Sequence, residues 1–277
     1  MTDRYPNRIV CLTEETTETL YLLGEERRIV GISGYTVRPA RARREKPKVS
    51  AFLSAKTAKI LELKPDLVLG FSDLQADIAK ELVREGLNVA IFNQRSVEEI
   101  LDMIQTLAAM VGAAGKGEKL VTSLEEGLAR IREQAARFPV RPKVYFEEWD
   151  EPMISAIRWV SELVAVAGGE DVFPERATSQ GAAGRTIADP QEVVRRAPDI
   201  IVGSWCGKKF RPERVAARPG FDAVPAVRDG ELHEVKSSEI LQPGPAALTD
   251  GVARLHAIFA RWAARGEDGA PAPSSRA

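Results

Sequence analysis

The chain has 277 residues, of which 44% are hydrophobic and 29% charged, and its formal net charge at pH 7 is -1. This length allows two domains of ordinary size, and this composition is typical of soluble globular proteins. A net charge so close to zero argues against a general attraction to nucleic acid or to an anionic membrane surface. The two cysteines, Cys11 and Cys206, are too few for a disulfide framework or a cysteine zinc site, and we expect both to be buried.

The N-terminal segment is polar as far as Arg8 and then enters an apolar run that begins at Ile9. A secretory signal would need a basic segment followed by roughly 7–15 apolar residues, and a membrane span would need ~18 apolar residues. The sequence contains neither pattern. If Met1 is the natural start, we expect a cytoplasmic protein, whereas a misassigned start would leave a periplasmic location open.

Short apolar runs alternate with amphipathic helical patterns through the first part of the chain. The runs typical of strands are Arg8–Leu12, Ile29–Ile32, Asp66–Gly70 and Asn88–Phe92. The helical patterns between and after them are Glu14–Gly24, Asp73–Gly86 and Val97–Val111. Strand, helix and strand at this spacing predict βαβ units and a mostly parallel sheet.

One long amphipathic helix is predicted from Gly117 to about Phe138, and a second α/β pattern follows it. The predicted elements of that pattern are strand Lys143–Glu147, helix Ser155–Ala167, strand Asp199–Gly203, strand Glu231–Val235 and helix Ala246–Ala264. We therefore predict an N-terminal lobe over residues 1–114, a linking helix over 115–139 and a C-terminal lobe over 140–265. Residues 266–277, rich in Gly, Ala, Pro and Ser, are predicted to be a disordered tail.

Two segments of 13 residues, Ala58–Gly70 and Gln191–Gly203, resemble each other. Both contain a helical pattern, a Pro-Asp pair, an apolar run and a final glycine, in that order. Pro-Asp turns are common, so convergence stays open. The match in length and order favours two related lobes joined by the long helix.

Several short motifs follow one another along the chain: Arg8–Leu12, Leu23–Gly24 with Ile29–Ser33, Leu63–Val68, Ala167–Gly169 before Asp171–Phe173, and Ala197–Ile201. In these motifs the sequence resembles the substrate-binding proteins of cobalamin, haem and iron-siderophore transporters, over about residues 7–264. The resemblance implies an α/β fold of two three-layer αβα lobes with mostly parallel sheets, joined by one long helix, with a ligand cleft between the lobes. Within this periplasmic-binding-protein family the chain is most similar to proteins called cobalamin-binding.

The resemblance also concerns docking to a transporter. Family members that serve a permease dock through one glutamate in each lobe, on the helix before each Pro-Asp unit. Alignment of the motifs places Ala58 and Gln191 at these positions, with Glu62 and Glu192 nearby. Because neither aligned residue is charged, permease docking is doubtful, and we expect the fold to hold, sense or hand on a ligand.

In the first lobe, loops at the strand ends are expected to contact the ligand, as is general for open α/β sheets. One loop contains Tyr35 and Arg38, and Arg38 stands where cobalamin-binding relatives have an aromatic residue. Phe71 and Ser72 follow the next predicted strand, at a corresponding place. An arginine suits an anionic or amide-rich ligand edge, since guanidinium groups form paired hydrogen bonds with such groups.

The second lobe contributes Trp149, Arg185, Trp205 and Lys208 to the predicted site. Arg185, like Arg38, stands where relatives have an aromatic residue. Trp205 lies in a glycine-flanked loop, where we expect the indole to be exposed toward the ligand because such a loop is a poor place to bury it. Trp159, within a helical pattern, is expected in the core.

The acidic segment Glu147–Glu151 has no histidine and no fixed ligand spacing, although its carboxylates could pair with Arg38 or Lys208 or bind a metal. The sequence contains no phosphate-binding loop, nucleophile elbow or metalloprotease motif. The only histidines, His233 and His256, are expected to be structural.

The leading hypothesis is a small-molecule binding protein that holds a corrinoid or a similar metal chelate without catalysis and requires no cofactor. We expect neither nucleic acid nor membrane insertion among its interactions. Two alternatives stay open. One is the substrate-binding component of an ABC importer with a lost signal peptide. The other is a metal-dependent enzyme that uses the acidic segment.

Overall fold

The computed structural model describes residues 4–265, and these residues fall into two compact units. The first unit extends to Glu125 and also includes the short segment Gln242–Ala246. The second comprises Glu126–Leu241 and the chain from Ala247 onward. The first boundary falls within the helix that was predicted to link the lobes. The predicted tail over residues 266–277 lies outside the described residues.

The described part of the first unit contains five strands and five complete α-helices. In chain order they are β1 (Ile9–Cys11), α1 (Glu14–Leu22), β2 (Ile29–Ser33), α2 (Ala42–Glu45), β3 (Lys48–Ser50), α3 (Thr57–Glu62), β4 (Leu67–Phe71), α4 (Ala76–Arg84), β5 (Val89–Phe92) and α5 (Val97–Met110). The strands form one sheet in the order β3-β2-β1-β4-β5, and each neighbouring pair is parallel. The predicted parallel sheet is confirmed here, and the sequence pattern missed only its short edge strand β3.

Helix α6 (Ala114–Ala135) leads into the second unit. The elements that follow are β6 (Lys143–Asp150), β7 (Met153–Ser155), α7 (Arg158–Val166), β8 (Glu170–Asp171), α8 (Pro174–Ala177), α9 (Ala182–Arg185), β9 (Thr186–Ile187), α10 (Gln191–Arg196), β10 (Ile200–Gly203), α11 (Pro212–Ala216), α12 (Pro225–Arg228), β11 (Leu232–Glu234), α13 (Ser237–Ile240) and α14 (Val252–Arg265). The sheet order is β11-β10-β6-β7-β9, with β8 beside β6.

The second sheet is mixed. Strand β10 runs parallel to β6 and β11, whereas β7 is antiparallel to both β6 and β9. The strand predicted as Lys143–Glu147 therefore continues to Asp150 and returns as β7 through a hairpin. For the same reason the following helix begins at Arg158, after β7 has ended, and not at the predicted Ser155.

The two repeated segments have matching backbone conformations. Each forms a short helix and then a strand, α3 with β4 in the first unit and α10 with β10 in the second. The residue before each Pro-Asp pair adopts positive φ, 46° at Lys64 and 45° at Ala197. Helices commonly end in this left-handed conformation, although a residue other than glycine is unusual there.

The aspartate of each Pro-Asp pair also has the same role in both units. Asp66 accepts hydrogen bonds from the backbone N–H groups of Asn7 (2.7 Å) and Arg8 (2.9 Å) at the start of β1. Asp199 accepts one from the backbone N–H of Lys143 (2.8 Å) at the start of β6. The two segments are therefore equivalent in structure as well as in sequence pattern.

Most single residues that the sequence placed in the interior are buried. Trp159 is in the core and donates its indole N–H to the carbonyl of Ile240 at 2.9 Å. His256 stacks on Phe138 with 5.3 Å between ring centroids, in agreement with a structural role. Cys11 is buried as predicted, whereas the expectation for Cys206 is wrong because it lies exposed in the loop after β10. Within residues 4–265, no helix combines the length and apolarity that crossing a membrane requires.

Candidate functional site

In the first unit, helix α1 carries three buried carboxylates, those of Glu14, Glu15 and Glu18. Glu14 Oε2 accepts hydrogen bonds from the backbone N–H groups of Val37 and of Arg38, the latter at 3.2 Å. Glu18 Oε1 accepts a bond from Arg38 Nε at 2.9 Å. Glu14 and Glu18 therefore hold the loop after β2 in place, a role that the sequence pattern did not reveal.

This loop brings two predicted site residues to the carboxyl end of the sheet. Tyr35 is 66% exposed, as a ligand contact requires. Arg38 is paired with Glu18, and the pairing of Arg38 with the acidic segment around Glu147 stays a prediction. Whether either side chain touches a ligand stays a prediction.

Phe71 and Ser72 lie at the end of β4, as predicted, but both are buried. The guanidinium of Arg95 lies 4.7 Å from the ring centroid of Phe71. Ser72 has φ of 64°, and its hydroxyl accepts a hydrogen bond from the backbone N–H of Leu74 at 3.3 Å. Ser72 therefore caps the turn that follows. Because it is buried, it stabilises this loop from the interior and does not form part of its surface.

Gln75, which the sequence analysis did not single out, connects these loops. Its side chain is fully buried, and its Oε1 accepts a hydrogen bond from the backbone N–H of Phe71 at 3.0 Å. Its Nε2 donates to the carbonyl of Phe52 at 3.0 Å, in the loop after β3. A glutamine in a polar-looking segment gives no signal of such a role, since the bond to Phe52 spans 23 residues.

Four exposed apolar residues follow the carboxyl ends of strands β2, β3 and β4. They are Tyr35, Val37, Leu53 and Leu74. Because carboxyl ends of parallel strands meet at one edge of a sheet, these side chains belong to the same edge of the first unit. Exposed large apolar side chains at this edge are typical of a ligand-contacting surface.

The segment Gln242–Ala246 docks on the same helix α1. The backbone N–H of Ala246 donates to Glu18 Oε2 at 3.1 Å, and Gln94 Nε2 donates to the carbonyl of Pro243 at 2.8 Å. A Cβ atom on Gly244 would lie 2.5 Å from Cβ of Glu15, so glycine is required for this close approach.

In the second unit, the fully buried carboxylate of Glu147 organises the end of β6. It accepts two hydrogen bonds from Arg218, at 2.5 Å and 3.0 Å, and one each from Tyr145 Oη and Trp205 Nε1, both at 3.0 Å. Burial and the charge of Glu147 raise the pKa of Tyr145 above its ordinary value, so the phenol stays a donor. Four donors thus compensate one buried charge.

Trp205 is buried, so the expectation of an exposed indole is wrong. Its N–H is satisfied by Glu147, and its ring meets the ring of Phe210 edge to face, with 5.1 Å between centroids. The flanking glycine permits this packing, because a Cβ on Gly203 would lie 1.9 Å from the ring of Phe210. Contact between Trp205 and a ligand stays untested, but the indole lies within the core of the second unit.

Trp149 and Lys208 lie together, as neighbouring members of the predicted site. The Nζ of Lys208 is 3.9 Å from the ring centroid of Trp149 and donates a hydrogen bond to Asp150. Burial acts to raise the pKa of Asp150, but the hydrogen bond and the charge of Lys208 outweigh it, and the pKa lies below its ordinary value. The pairing of Lys208 with the acidic segment is confirmed.

Arg185, at the end of α9, is only 3% exposed. Its guanidinium binds Glu148 with two hydrogen bonds, at 2.5 Å and 3.1 Å, and donates to the carbonyl of Ser155 at 2.7 Å. The Ser155 hydroxyl in turn donates to the carbonyl of Arg185 at 3.1 Å. Arg185 therefore connects β6, β7 and α9, and a ligand contact by it stays a prediction.

A cavity of about 420 Å³ opens in the second unit beside these residues. Its lining combines apolar with charged groups and consists of Asp150, Glu151, Pro152, Met153, Thr186, Ile187, Ala188, Pro190, Arg214, Arg218 and Pro219. The acidic segment was evident in the sequence, but Arg214 and Arg218 were not. They follow β6 by more than sixty residues, and no local motif marks them.

The acids of the segment are engaged by cations and are not arranged around a metal position. Glu147 pairs with Arg218, Glu148 with Arg185, and Asp150 with Lys208. Over the described part of the chain, no cluster of three or more His, Cys, Asp or Glu side chains could hold a metal ion.

A family model described as "Periplasmic binding protein" matches residues 9–239 of the chain. The chain belongs to the periplasmic binding protein family. This match confirms the resemblance that the sequence motifs indicated, and the two units have the α/β architecture that it implied.

Among the family's proteins, the chain is 26% identical to the uncharacterized ABC transporter substrate-binding lipoprotein YvrC of Bacillus subtilis over 259 residues, which cover 90% of this chain and 79% of that protein. It is 25% identical to a vitamin B12-binding protein of Vibrio parahaemolyticus over 251 residues, which cover 87% of this chain and 85% of the relative. Both relatives are named as binding proteins.

Solved structures agree with the fold of this family member. The periplasmic vitamin B12-binding protein BtuF of Vibrio cholerae superposes with a TM-score of 0.73 at 23% identity, over 94% of this chain and 98% of that chain. A possible iron-binding periplasmic solute-binding protein of Staphylococcus epidermidis gives a TM-score of 0.79 at 21% identity, over 92% and 99% of the two chains. At these identities the likeness establishes the fold.

The stability of the protein is expected to depend on pH through two buried glutamates of helix α1. Burial raises the pKa of both Glu14 and Glu15 to about 7. Because an unfolded glutamate titrates near ~4.3, the folded state binds protons more tightly, and its stability falls as pH rises from about 5 to about 7. We expect the free energy of unfolding to be ~1–3 kcal/mol lower at pH 8 than at pH 5.5. Urea denaturation at both pH values measures this difference.

Matched variants assign this pH dependence. Glu14→Gln and Glu15→Gln should each reduce the difference between the two pH values, since the amide does not titrate. Glu62→Gln, at an exposed position, should leave it unchanged. The same pH dependence in all three variants would contradict the assignment.

The buried ion pair of Arg185 and Glu148 is expected to contribute to the stability of the protein. Its replacement by alanine leaves the carboxylate of Glu148 without its partner in a largely buried place, so we expect a loss of ~3 kcal/mol in the free energy of unfolding. Arg158→Ala is the matched control, because Arg158 forms a half-exposed pair with Glu162 and should lose less than ~1 kcal/mol. Equal losses in the two variants, measured by chemical denaturation, would refute a structural role for Arg185.

Proposed function

We propose that this chain binds a corrinoid or a similar metal chelate and performs no reaction on it. The observation that carries the proposal is the similarity to a vitamin B12-binding protein along 87% of the chain, within a family of binding proteins. The proposed ligand is held noncovalently, and no further cofactor is required.

The chemistry of each unit suits such a ligand. A metal macrocycle has apolar faces and a polar rim, so its site needs flat apolar contacts with a few placed polar groups. The first unit supplies exposed apolar residues at one sheet edge, Tyr35 and Leu53 among them. The second supplies the partly buried indole of Trp149 under the ammonium of Lys208, and the mixed cavity beside Arg214.

Binding without catalysis agrees with the pairing of the ionisable side chains. Each buried carboxylate at the end of β6 already has a cationic partner, so it is a poor candidate for a general base. The histidines are engaged too: His233 Nε2 lies 2.8 Å from Glu231, and His256 Nδ1 lies 3.1 Å from the carbonyl of Ala167. These pairings support a binding protein over a metal-dependent enzyme.

We further propose that the chain does not dock to a permease through a pair of glutamates. Ala58 and Gln191 are both exposed, and Gln191 Nε2 donates to the carbonyl of Pro219 at 2.9 Å. The neighbouring Glu192 is engaged by Arg176 with bonds of 2.8 Å and 3.1 Å. Its charge is thus compensated inside the second unit and is a weak substitute for a docking glutamate.

Titration calorimetry with cobalamin, cobinamide, haem and a ferric siderophore tests the ligand. We expect at least one corrinoid to bind with micromolar or tighter affinity and to quench tryptophan emission, with a smaller quench in Trp149→Phe. Arg38→Ala should weaken binding roughly tenfold to a hundredfold, since it removes a charge-assisted donor. Arg44→Ala, at an exposed position of the short helix α2 that follows this loop, is the control and should bind like the wild type. Failure of all four ligands to bind below about millimolar would refute the proposal.

Stimulation of a reconstituted corrinoid transporter's ATPase tests the docking proposal. We expect no stimulation by the wild-type chain, because the two aligned charges are missing. The double variant with Ala58→Glu and Gln191→Glu should gain stimulation, whereas Ala136→Glu, which adds a charge at another exposed position, should not. Stimulation by the wild type equal to that by an authentic partner would refute the proposal.

A further inference from the structure

The cavity of the second unit contains one carboxylate oxygen that is buried and not hydrogen-bonded. Among the described residues, Asp150 Oδ2 receives no hydrogen bond, although the side chain is almost fully buried. Arg214 approaches this oxygen, with its Nη1 3.3 Å away, while its Nη2 lies 3.9 Å from Glu151 Oε2. These distances are longer than those of good charge-assisted hydrogen bonds, so both sides retain capacity for a further partner.

The other cations near this cavity are already used. Arg218 gives two of its guanidinium nitrogens to Glu147, and Lys208 donates to the second oxygen of Asp150. Of the two guanidinium groups that line the cavity, that of Arg214 forms no hydrogen bond to an acceptor within residues 4–265, and its side chain is 53% exposed. The positive charge of Arg214 is balanced by the negative charge of Glu151, so the net charge of the residues that line the cavity is close to zero.

A neutral cavity of this kind discriminates between ligand groups. A ligand carboxylate approaching Arg214 would be repelled by Asp150 and Glu151 and would lose its hydration without a new counter-ion. A primary amide has no charge to desolvate and both donates and accepts hydrogen bonds. Its carbonyl can accept from Arg214 while its NH2 group donates to Asp150 Oδ2.

We propose that this cavity binds a peripheral primary amide of the ligand, so that the protein prefers a macrocycle with amide side chains to one with carboxylate side chains. This inference rests on the proposed function, and it decides between the anionic and the amide-rich ligand edges that the sequence left open. The first unit fits the same preference, because Arg38 is also paired with a carboxylate, that of Glu18.

Arg43 and Lys209, in loops at the strand ends, form no ion pair with a carboxylate within residues 4–265. Arg43 donates to the carbonyls of Gly34 and Thr36, both at 2.8 Å, and these neutral acceptors leave its charge uncompensated. Lys209 is exposed in the loop after β10. Either could attract a carboxylate ligand if the cavity did not select against it.

Calorimetry with a matched pair of corrinoids tests the preference. Dicyanocobinamide carries primary amides around the corrin ring, and dicyanocobyrinic acid has the same ring with carboxylates in their place. We expect the amide form to bind at least about tenfold more tightly. Arg214→Gln should weaken binding of the amide form about tenfold, and Glu151→Gln should tighten binding of the acid form while changing that of the amide form less than about threefold.

The exposed pair of Arg211 and Glu213, 3.5 Å apart on the same part of the chain, supplies the controls. Arg211→Gln and Glu213→Gln should leave the affinity ratio of the two corrinoids as in the wild type. Equal or tighter binding of the acid form would overturn the inference and leave the proposed function standing. In that case, loss of acid-form binding in Arg43→Gln or Lys209→Gln would identify the residue that contacts the carboxylates. An unchanged ratio in both Arg214→Gln and Glu151→Gln would also overturn it. If neither corrinoid binds, the proposed function is refuted along with the amide preference.

Discussion

The buried carboxylate of Glu147 is the constraint on which the second unit depends. A charge removed from water at this depth is tolerated only when donors replace the lost hydration, and here Arg218, Tyr145 and Trp205 supply four hydrogen bonds. These bonds bring together β6, the loop after β10 and the chain beyond α11. The same arrangement draws Trp205 inward and places Arg218 in the wall of the cavity.

The first unit also contains buried carboxylates, on helix α1, that need hydrogen-bond donors. Glu14 and Glu18 are buried, and the backbone and side chain of the loop after β2 compensate them. The carboxylates therefore fix the loop that presents Tyr35, instead of contacting solvent. In both units, buried acids near the strand ends fix the positions of the neighbouring loops. The residues that fix these loops are therefore different from the exposed residues that the loops present to solvent.

This pairing also bears on function. The carboxylates of Glu147 and Asp150 are matched to cations and so have little capacity for proton transfer. Arg38 and Arg185 are matched to carboxylates and so have little excess attraction for anions. The strand ends thus combine apolar contacts with balanced polar groups. A surface of that character suits a large, neutral and partly apolar ligand more than it suits a reaction.

The sequence by itself determined the alternation of strands and helices, the parallel sheet of the first unit and the repeated helix–Pro-Asp–strand segment, because periodicity and turn residues are local signals. It also indicated the family, and the pairing of Lys208 with the acidic segment. Only the tertiary structure decided that Trp205 is buried and that Arg185 is engaged by Glu148. It alone also placed Gln75 between two loops and Arg214 in the wall of the cavity. The physical reason is distance along the chain: Glu147 meets Arg218 across 71 residues, and Arg185 meets Glu148 across 37. Residue type shows that a charge needs a partner, but only the folded chain selects which one.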